Sequence, residues 1–219
     1  EPLGDVVDPE KAVRPDAPLL HEEAGSNVLV SREFVRGDVD ATFAGAPVRV
    51  GGRFRFHRKT PMALETRAYI AEYDKGRNFL TLTSSTQVPG IVRDALVELL
   101  GMPGHSVRVV AQDVGGGFGG KTSLYPEEVL VCALARQLRT TVRWTSDRLE
   151  DLVSTSQAFD EIIDAEVAVD SKGRILALSA DVIGDVGAYS IYPWTAGIEP
   201  VQVVDRKSTR LNSSHGIIS

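Results

Sequence analysis

Eleven residues, D-V-G-G-G-F-G-G-K-T-S at Asp113–Ser123, constrain the fold more than any other part of the chain. Five of the six positions from Gly115 to Gly120 are glycine. Glycine lets the backbone approach a neighbouring group closely and adopt positive φ, but ordering it costs conformational entropy. A simple tight turn rarely requires so many glycines, so we predict a loop that closely approaches a bulky cofactor.

The same residues match two nucleotide-binding patterns. From Gly115 they give the P-loop pattern G-x-x-x-x-G-K-T, and Gly115–Gly120 also satisfies the dinucleotide fingerprint G-x-G-x-x-G. Pro126 argues against a P-loop, because a helix that began at Gly120 would contain an internal proline, at a cost of about 3 kcal/mol. The one candidate acidic partner for magnesium, Asp147, is equally suited to cap the helix that follows it.

The dinucleotide pattern is weaker still, because it requires an acidic residue about 20 positions further on. The segment R-T-T-V-R near position 140 contains none. A P-loop nucleotide-binding protein therefore remains only as an alternative from a different functional class.

Hydrophobic periodicity predicts an α+β chain. Residues 1–45 are rich in proline, glycine and acidic residues and are interpreted as a connecting segment or the edge of an earlier domain. The alternation R-F-R-F at 53–56 predicts a half-buried strand. Further elements are predicted as follows: strands at A-Y-I-A-E-Y, N-F-L-T-L-T-S, V-R-V-V-A-Q-D-V and T-V-R-W-T, a helix from Pro89 to Gly101 with Ile91, Val92, Ala95, Leu96, Leu99 and Leu100 on its apolar face, a helix from Pro126, and a hairpin around Asp170–Gly173.

Composition excludes several classes of protein. The 219 residues are 42% hydrophobic and 25% charged, which is typical of a globular protein, and the formal charge of −6 gives no electrostatic reason to expect nucleic acid. No apolar run approaches the roughly 18–20 residues of a membrane helix, so we expect no membrane insertion and a cytoplasmic location. The single Cys132 excludes an internal disulfide and any Cys-based metal site, and it is predicted to be a buried core residue.

The last fifteen residues have the composition of a polar tail, but they also match a translated sequencing adapter. Asp205–His215 corresponds in frame to the adapter, Gly216 and Ile217 to a six-base index, and Ile218 and Ser219 to the codons after it. We interpret residues 205–219 as non-native, with the genuine reading frame cut at about Val204. The chain is then a fragment.

Several ordered motifs resemble the large subunit of the molybdenum hydroxylases, the family of xanthine dehydrogenase, aldehyde oxidase and aerobic carbon monoxide dehydrogenase. The glycine loop resembles the family's signature loop, Pro61–Asp74 its glutamate-centred strand, and Leu82–Pro89 its Ser-Thr-Gln-x-Pro segment. Y-P-E-E, V-R-W-T-S-D-R-L-E-D and G-D-V-G-A-Y follow in the expected order. The resemblance implies that residues 1–45 are the end of a hammerhead domain with its linker, and that residues 46–204 are the first part of the molybdopterin-binding domain.

The resemblance also implies a cofactor and the residues that contact it. The expected cofactor is molybdenum held by molybdopterin, in the cytosine dinucleotide form, with iron–sulfur and FAD groups on other subunits or domains. Gln87 matches the glutamine whose amide lies beside the metal, where an N–H can donate a hydrogen bond. Gly117, Phe118 and Gly119 match the loop whose backbone approaches the metal. Gln87 and Phe118 are therefore expected near molybdenum without being its ligands.

Thr122 occupies the position where purine-oxidising members have a glutamate, so purine hydroxylation is disfavoured. Aldehydes, N-heterocycles or carbon monoxide remain as small-molecule substrates, oxidised with water-derived oxygen. Electrons would pass to iron–sulfur and flavin subunits in a hetero-oligomer. The family's general base is a glutamate near the far C-terminus, so we expect no catalytic residue in this chain and no hydroxylase activity from it alone.

Four other residues are weaker candidates. We interpret Glu65 and Arg67 as a buried ion pair of structural value, and His57 as a surface or packing histidine. Asp185 and Tyr189 are interpreted as residues with a role at the end of a strand.

Overall fold

The structure is a computed structural model that describes residues 5–189 and, for the backbone only, the strand at 213–217. Most of residues 205–219 and the first four residues lie outside the described part. The chain divides into two compact units: residues 1–58 with 159–219, and residues 59–158. We call them the first and second unit.

In its described residues, the first unit contains two short helices and five strands. Its helices are α1 (Pro9–Ala12) and α2 (Val39–Gly45), with a 3₁₀ turn at Glu22–Ala24, and its strands are β1 (Val28–Arg32), β2 (Val48–Phe56), β7 (Asp160–Val169), β8 (Ile175–Asp185) and β9 (Ser213–Ile217). The strands form one sheet in the order β1-β9-β8-β7-β2, in which only β8 and β9 run parallel.

The predicted hairpin joins β7 to β8. Asp170 accepts hydrogen bonds from the backbone N–H groups of Lys172 and Arg174, and Gly173 has a φ of 78°. Because the aspartate satisfies the turn donors and glycine adopts the left-handed conformation easily, the local sequence is sufficient to specify this turn. The prediction is confirmed.

Residues 1–45, interpreted as a connecting segment or the edge of an earlier domain, include α2, whose Val39 and Phe43 are buried against Ala168 and Ala177 of the sheet. One prediction for the first unit is wrong. Strand β2 forms as predicted, but all its residues are exposed rather than half-buried. Its arginines pair with acidic residues of β7 on one face, while valines and phenylalanines on the other face remain exposed.

The second unit contains a four-stranded sheet and three helices. In chain order its elements are β3 (Ala68–Asp74), β4 (Phe79–Ser84), α3 (Pro89–Leu100), a 3₁₀ turn at Gly104–Ser106, β5 (Val107–Val110), α4 (Pro126–Leu138), β6 (Val142–Thr145) and α5 (Arg148–Ser154). The strand order is β5-β4-β3-β6, with β3 antiparallel to both neighbours and β4 parallel to β5. Helix α3 makes the crossover between the parallel strands, as such a connection requires.

The core of the second unit lies between this sheet and helices α3 and α4. Its fully buried side chains include Leu80, Leu82, Val92, Leu96 and Cys132. The two helices begin at Pro89 and Pro126 as predicted, and α3 ends at Gly101 in the left-handed conformation. The predicted apolar face of α3 is correct except for Leu99, which is 60% exposed. The mixed helix and strand content confirms the α+β class.

No helix in the described part of the chain has both the length and the apolar character that crossing a membrane requires.

Candidate cofactor-binding site

The glycine loop connects β5 to α4 in the second unit and contains several residues with positive φ. Gly116, Phe118 and Gly119 have φ values of 101°, 49° and 89°. A phenylalanine with positive φ costs about 1–2 kcal/mol. Phe118 is also 78% exposed, so a strained backbone position presents an aromatic side chain at the surface of the loop.

Most glycines of the loop are required by neighbouring side chains of the same chain. A Cβ atom at Gly115 would lie 2.6 Å from Cβ of Glu65, one at Gly117 would overlap the amide of Gln87, and one at Gly120 would overlap Pro61. Side chains of the same chain therefore account for glycine at these three positions, while backbone contact of Gly117 with a cofactor stays a prediction. Gly119, with no atom within 4 Å of its Cβ position, is the glycine that faces open space.

The exposed side chain of Gln87 lies against Gly117 of the loop, and two backbone donors fix its orientation. Its Oε1 accepts hydrogen bonds from the N–H groups of Gly119 at 3.1 Å and Lys121 at 3.2 Å. Its own backbone N–H donates to the carbonyl oxygen of Lys121 at 2.8 Å. Two donors at one atom identify that atom as the oxygen, so the other amide atom is Nε2, which carries the two N–H donors. Among the described residues, none accepts a hydrogen bond from Nε2.

Lys121 is buried, and its ammonium group is paired within the protein. Nζ lies 3.0 Å from both the side-chain Oε2 and the backbone oxygen of Glu65. The predicted Glu65–Arg67 ion pair is therefore wrong, because Glu65 pairs with Lys121.

The same geometry contradicts both nucleotide-binding interpretations. A P-loop lysine must reach a phosphate, whereas Lys121 is only 4% exposed. The residues after Gly120 form turns, and α4 begins only at Pro126, so no helix N-terminus faces the loop glycines. Asp147, the candidate magnesium ligand, instead caps α5 by accepting a hydrogen bond from the N–H of Glu150.

Arg67 is fully buried and contacts the loop through Tyr125. Its guanidinium pairs with Glu127 at 3.1 Å and lies 3.5 Å from the carboxylate of Asp151. It also stacks over the ring of Tyr125, 4.0 Å from the centroid, and the hydroxyl of Tyr125 donates to the backbone oxygen of Gly120. The sequence showed an ion-pair candidate at this position but not its partners, which lie 60 and 84 residues further along the chain.

Other buried ionisable groups have structural contacts. Glu128 accepts hydrogen bonds from the hydroxyl of Ser84 and the N–H of Tyr125, and burial raises its pKa above the ordinary value. Burial likewise raises the pKa of the Cys132 thiol to about 12, which confirms the predicted core cysteine. In the second unit, sequence patterns gave no sign that Glu128 is buried, because an acidic residue in a first helical turn is normally exposed.

Thr122 lies next to the loop, partly buried, and its hydroxyl donates to the backbone oxygen of Gly119 at 2.6 Å. The remaining candidates belong to the first unit. His57 is exposed, and Tyr189 is 76% exposed. Asp185 is the last residue of β8, is buried and pairs with Arg58 at 2.9 Å, which matches the expected strand-end role.

The second unit thus brings Gln87, Gly117, Phe118, Gly119 and Thr122 together around one loop. Gln87 supplies an amide N–H donor, Phe118 an exposed aromatic ring, and Gly119 borders open space. This arrangement suits the binding of a large polar group that carries hydrogen-bond acceptors. In residues 5–189 no set of three or more His, Cys, Asp or Glu side chains is arranged to hold a metal ion directly. A metal at this site would have to be held by a cofactor of its own.

Comparisons with known proteins agree with this geometry. The molybdopterin cofactor-binding domain family matches residues 20–204. The chain is 36% identical over 214 residues to the carbon monoxide dehydrogenase large chain of Afipia carboxidovorans, covering 90% of this chain and 26% of that protein. It is 33% identical to the nicotine 6-hydroxylase large subunit of Paenarthrobacter nicotinovorans, covering 91% and 24%.

The fold is also similar to that of solved enzymes. Quinoline 2-oxidoreductase from Pseudomonas putida 86 matches with a TM-score of 0.87 and 34% identity, over all of this chain and 28% of that structure. The chain spans about a quarter of the length of the curated relatives it matches. With the family match extending over most of its length, the chain belongs to the molybdopterin cofactor-binding domain of the molybdenum hydroxylase family.

Proposed function

We propose that this chain forms part of the cofactor site of a molybdenum hydroxylase, with the glycine loop and Gln87 beside the cofactor. The observation that supports the proposal best is the orientation of Gln87. Because the N–H groups of Gly119 and Lys121 donate to its Oε1, its Nε2 remains a hydrogen-bond donor at the glycine loop. A donor held in advance can stabilise negative charge on a bound group without reorganising.

The molybdopterin would supply the two-electron oxidation of a substrate carbon with water-derived oxygen. Within this chain, Gln87 would donate a hydrogen bond to the bound group, and Gly117 and Gly119 would let the backbone lie close to it. Phe118 would cover the group with an apolar ring and exclude water. Thr122 would contribute to the substrate pocket through its methyl group and its hydroxyl oxygen.

We infer aldehydes or N-heterocycles as the substrate class. The neutral Thr122 offers no carboxylate to a purine, and one relative is named for nicotine and a similar structure for quinoline. Carbon monoxide is the second candidate, because two relatives at 36% and 38% identity are carbon monoxide dehydrogenase large chains. Iron–sulfur and flavin partners, the cytosine dinucleotide form of the cofactor and a cytoplasmic location belong to the same proposal.

Two proposals concern the parts of the chain. Residues 1–45 are proposed to be the end of a hammerhead domain with its linker, and 46–204 the first part of the cofactor-binding domain. Residues 205–219 are proposed to be translated adapter, which is supported by a family match that extends to residue 204. Sequencing the source locus across codon 204 tests this, and a genomic frame that encodes Asp205–Ser219 would contradict it.

Cofactor content tests the main proposal. The chain is expressed in a host that makes molybdopterin, and molybdenum and pterin are measured after purification. We expect both in the wild type, a loss of about tenfold in Gln87→Ala, and no loss in Gln137→Ala, which changes an exposed glutamine of α4. Equal cofactor content in all three proteins would contradict the proposed role of Gln87.

Hydroxylase activity of the chain alone is tested separately from cofactor binding. The 219-residue chain is expected to turn over neither aldehydes nor N-heterocycles. Measurable hydroxylation by the purified chain would show that the general base does not have to come from outside it.

A further inference from the structure

The buried lysine of the glycine loop has a geometry that neither cofactor contact nor core packing requires. Lys121 is 4% exposed, and its Nζ donates to two oxygens of a single residue, Glu65. Removing an ammonium group from water is unfavourable unless it is paired and hydrogen-bonded. Burial of the Lys121 ammonium group therefore depends on Glu65, whose own side chain is 38% exposed.

The contacts of Glu65 join the two ends of the loop. Its Oε2 accepts a hydrogen bond from the N–H of Gly115 at 2.7 Å, and its backbone N–H donates to the Gly115 oxygen at 3.1 Å. The same Oε2 pairs with Lys121 at 3.0 Å. Glu65 thus binds the first residue of the loop and the residue that follows its last glycine.

The backbone of Lys121 in turn holds Gln87. Its N–H donates to Oε1 of Gln87, and its carbonyl oxygen accepts from the backbone N–H of Gln87 and, at 3.3 Å, from the hydroxyl of Thr86. Any displacement of Lys121 therefore displaces the amide of Gln87 and the neighbouring N–H of Gly119 as well.

We propose that Glu65 and Lys121 form an ionic clasp that closes the glycine loop and positions Gln87 and Phe118. Both are positioning residues, since neither side chain is required to touch the bound group. The proposal rests on the proposed function for its consequence, which is cofactor retention, but the clasp itself is a property of the protein alone.

Amide hydrogen exchange of the purified 219-residue chain tests the clasp without any cofactor. In Lys121→Met, which keeps length and removes charge, we expect exchange at Gly115 and Gly119 to accelerate at least about tenfold. Glu65→Gln keeps an oxygen that Gly115 can donate to, and it should accelerate exchange at Gly119 and Lys121 to a similar extent. The double variant should be no worse than either single variant, because both remove the same ion pair.

The matched control is Lys75→Met, which changes an exposed lysine of the β3–β4 turn and should leave loop exchange unchanged. Amides of α4 report on overall stability. If loop and α4 amides accelerated by the same factor, the pair would only support the fold as a whole and the inference would be overturned. Additive effects in the double variant would also overturn it.

Molybdopterin content of the same variants separates the two proposals. A tenfold loss in Lys121→Met that parallels the faster loop exchange is expected. If the wild type retained molybdopterin and Lys121→Met retained as much despite a loosened loop, positioning would be disproved while the proposed function stood. If the wild type retained none, the proposed function would fail, and the exchange data would still decide whether the clasp exists.

Discussion

At the scale of single residues, the loop shows how a glycine can be required by the protein rather than by a ligand. Gly117 has no Cβ because the amide of Gln87 lies where that atom would be. Glycine patterns in a sequence indicate close approach, but they do not tell which group approaches. For that reason the sequence predicts that something approaches the loop closely, but it does not identify Glu65, Gln87 and Pro61 as the groups that do so.

Gly117→Ala should therefore destabilise the second unit and displace Gln87. We expect a loss of about 1–3 kcal/mol in the free energy of unfolding, since the added methyl group overpacks a filled space. Urea denaturation measures the loss. The control is Gly90→Ala, at an α3 position with no atom within 4 Å of the added Cβ, where the change should be neutral or stabilising. Equal stabilities of the two variants would refute the packing explanation.

Among the substitutions proposed here, replacement of Arg67 should cause the largest loss in the free energy of unfolding. Arg67→Met leaves Glu127 and Asp151 without their buried partner, so we expect a loss of about 3–5 kcal/mol in the free energy of unfolding. Arg77→Met removes an exposed pair with Asp74 and should cost less than about 1 kcal/mol. Urea denaturation of both variants under the same conditions gives the comparison. A loss below about 1 kcal/mol in Arg67→Met would show that water satisfies Glu127 and Asp151 in place of the arginine.

At the scale of elements, helices and turns were easier to predict than exposure and pairing. Pro89, Pro126 and Gly101 mark helix ends because each restricts or frees φ locally. The alternation in β2 predicts a strand, but periodicity cannot tell whether anything covers its apolar face. The partner of Lys121 is 56 residues away in sequence, so no local pattern could reveal it.

The first turn of α4 should make stability depend on pH. Glu128 is buried, and its pKa is raised above the unfolded value of about 4.5 because burial disfavours the charged form. The folded chain therefore binds this proton more tightly than the unfolded chain does. Its stabilising effect is complete below the unfolded pKa and is lost as pH rises through the raised folded pKa.

Comparison with Glu128→Gln isolates this effect, because glutamine does not titrate. The stability of the wild type relative to Glu128→Gln should increase as pH falls from 7 towards 5. Urea denaturation across that range measures the difference, with Glu98→Gln, at an exposed glutamate of α3, as the matched variant. A difference that does not vary with pH would mean that burial does not control the protonation of Glu128.

At the scale of the whole molecule, the second unit is a continuous segment with its own core. It contains every residue proposed for the cofactor site. The N–H of Ala158 donates to the oxygen of Lys59 at 2.9 Å, so the ends of the segment are hydrogen-bonded to each other. Segments whose ends are adjacent and that have their own hydrophobic core commonly fold alone.

Residues 59–158, expressed alone, should therefore fold cooperatively. We expect a single unfolding transition and a Cys132 thiol that reacts with a thiol reagent only on unfolding, since it is buried and its pKa is raised to about 12. Circular dichroism and thiol labelling over a urea series provide the two measurements. Rapid labelling without denaturant would show that the core needs the first unit.

The place of this segment in the chain bears on how such a protein could have arisen. Strands β2 and β7 pair directly up to Phe56 and Glu161, so the whole second unit occupies the position of a hairpin loop. A single insertion of coding sequence at that loop would add a complete module without altering the register of either strand. Deletion of residues 59–158 would leave residues 57, 58, 159 and 160 between the two strands, which is a normal length for a hairpin loop. Gain or loss of the second unit as a module therefore requires only one insertion or deletion in the gene.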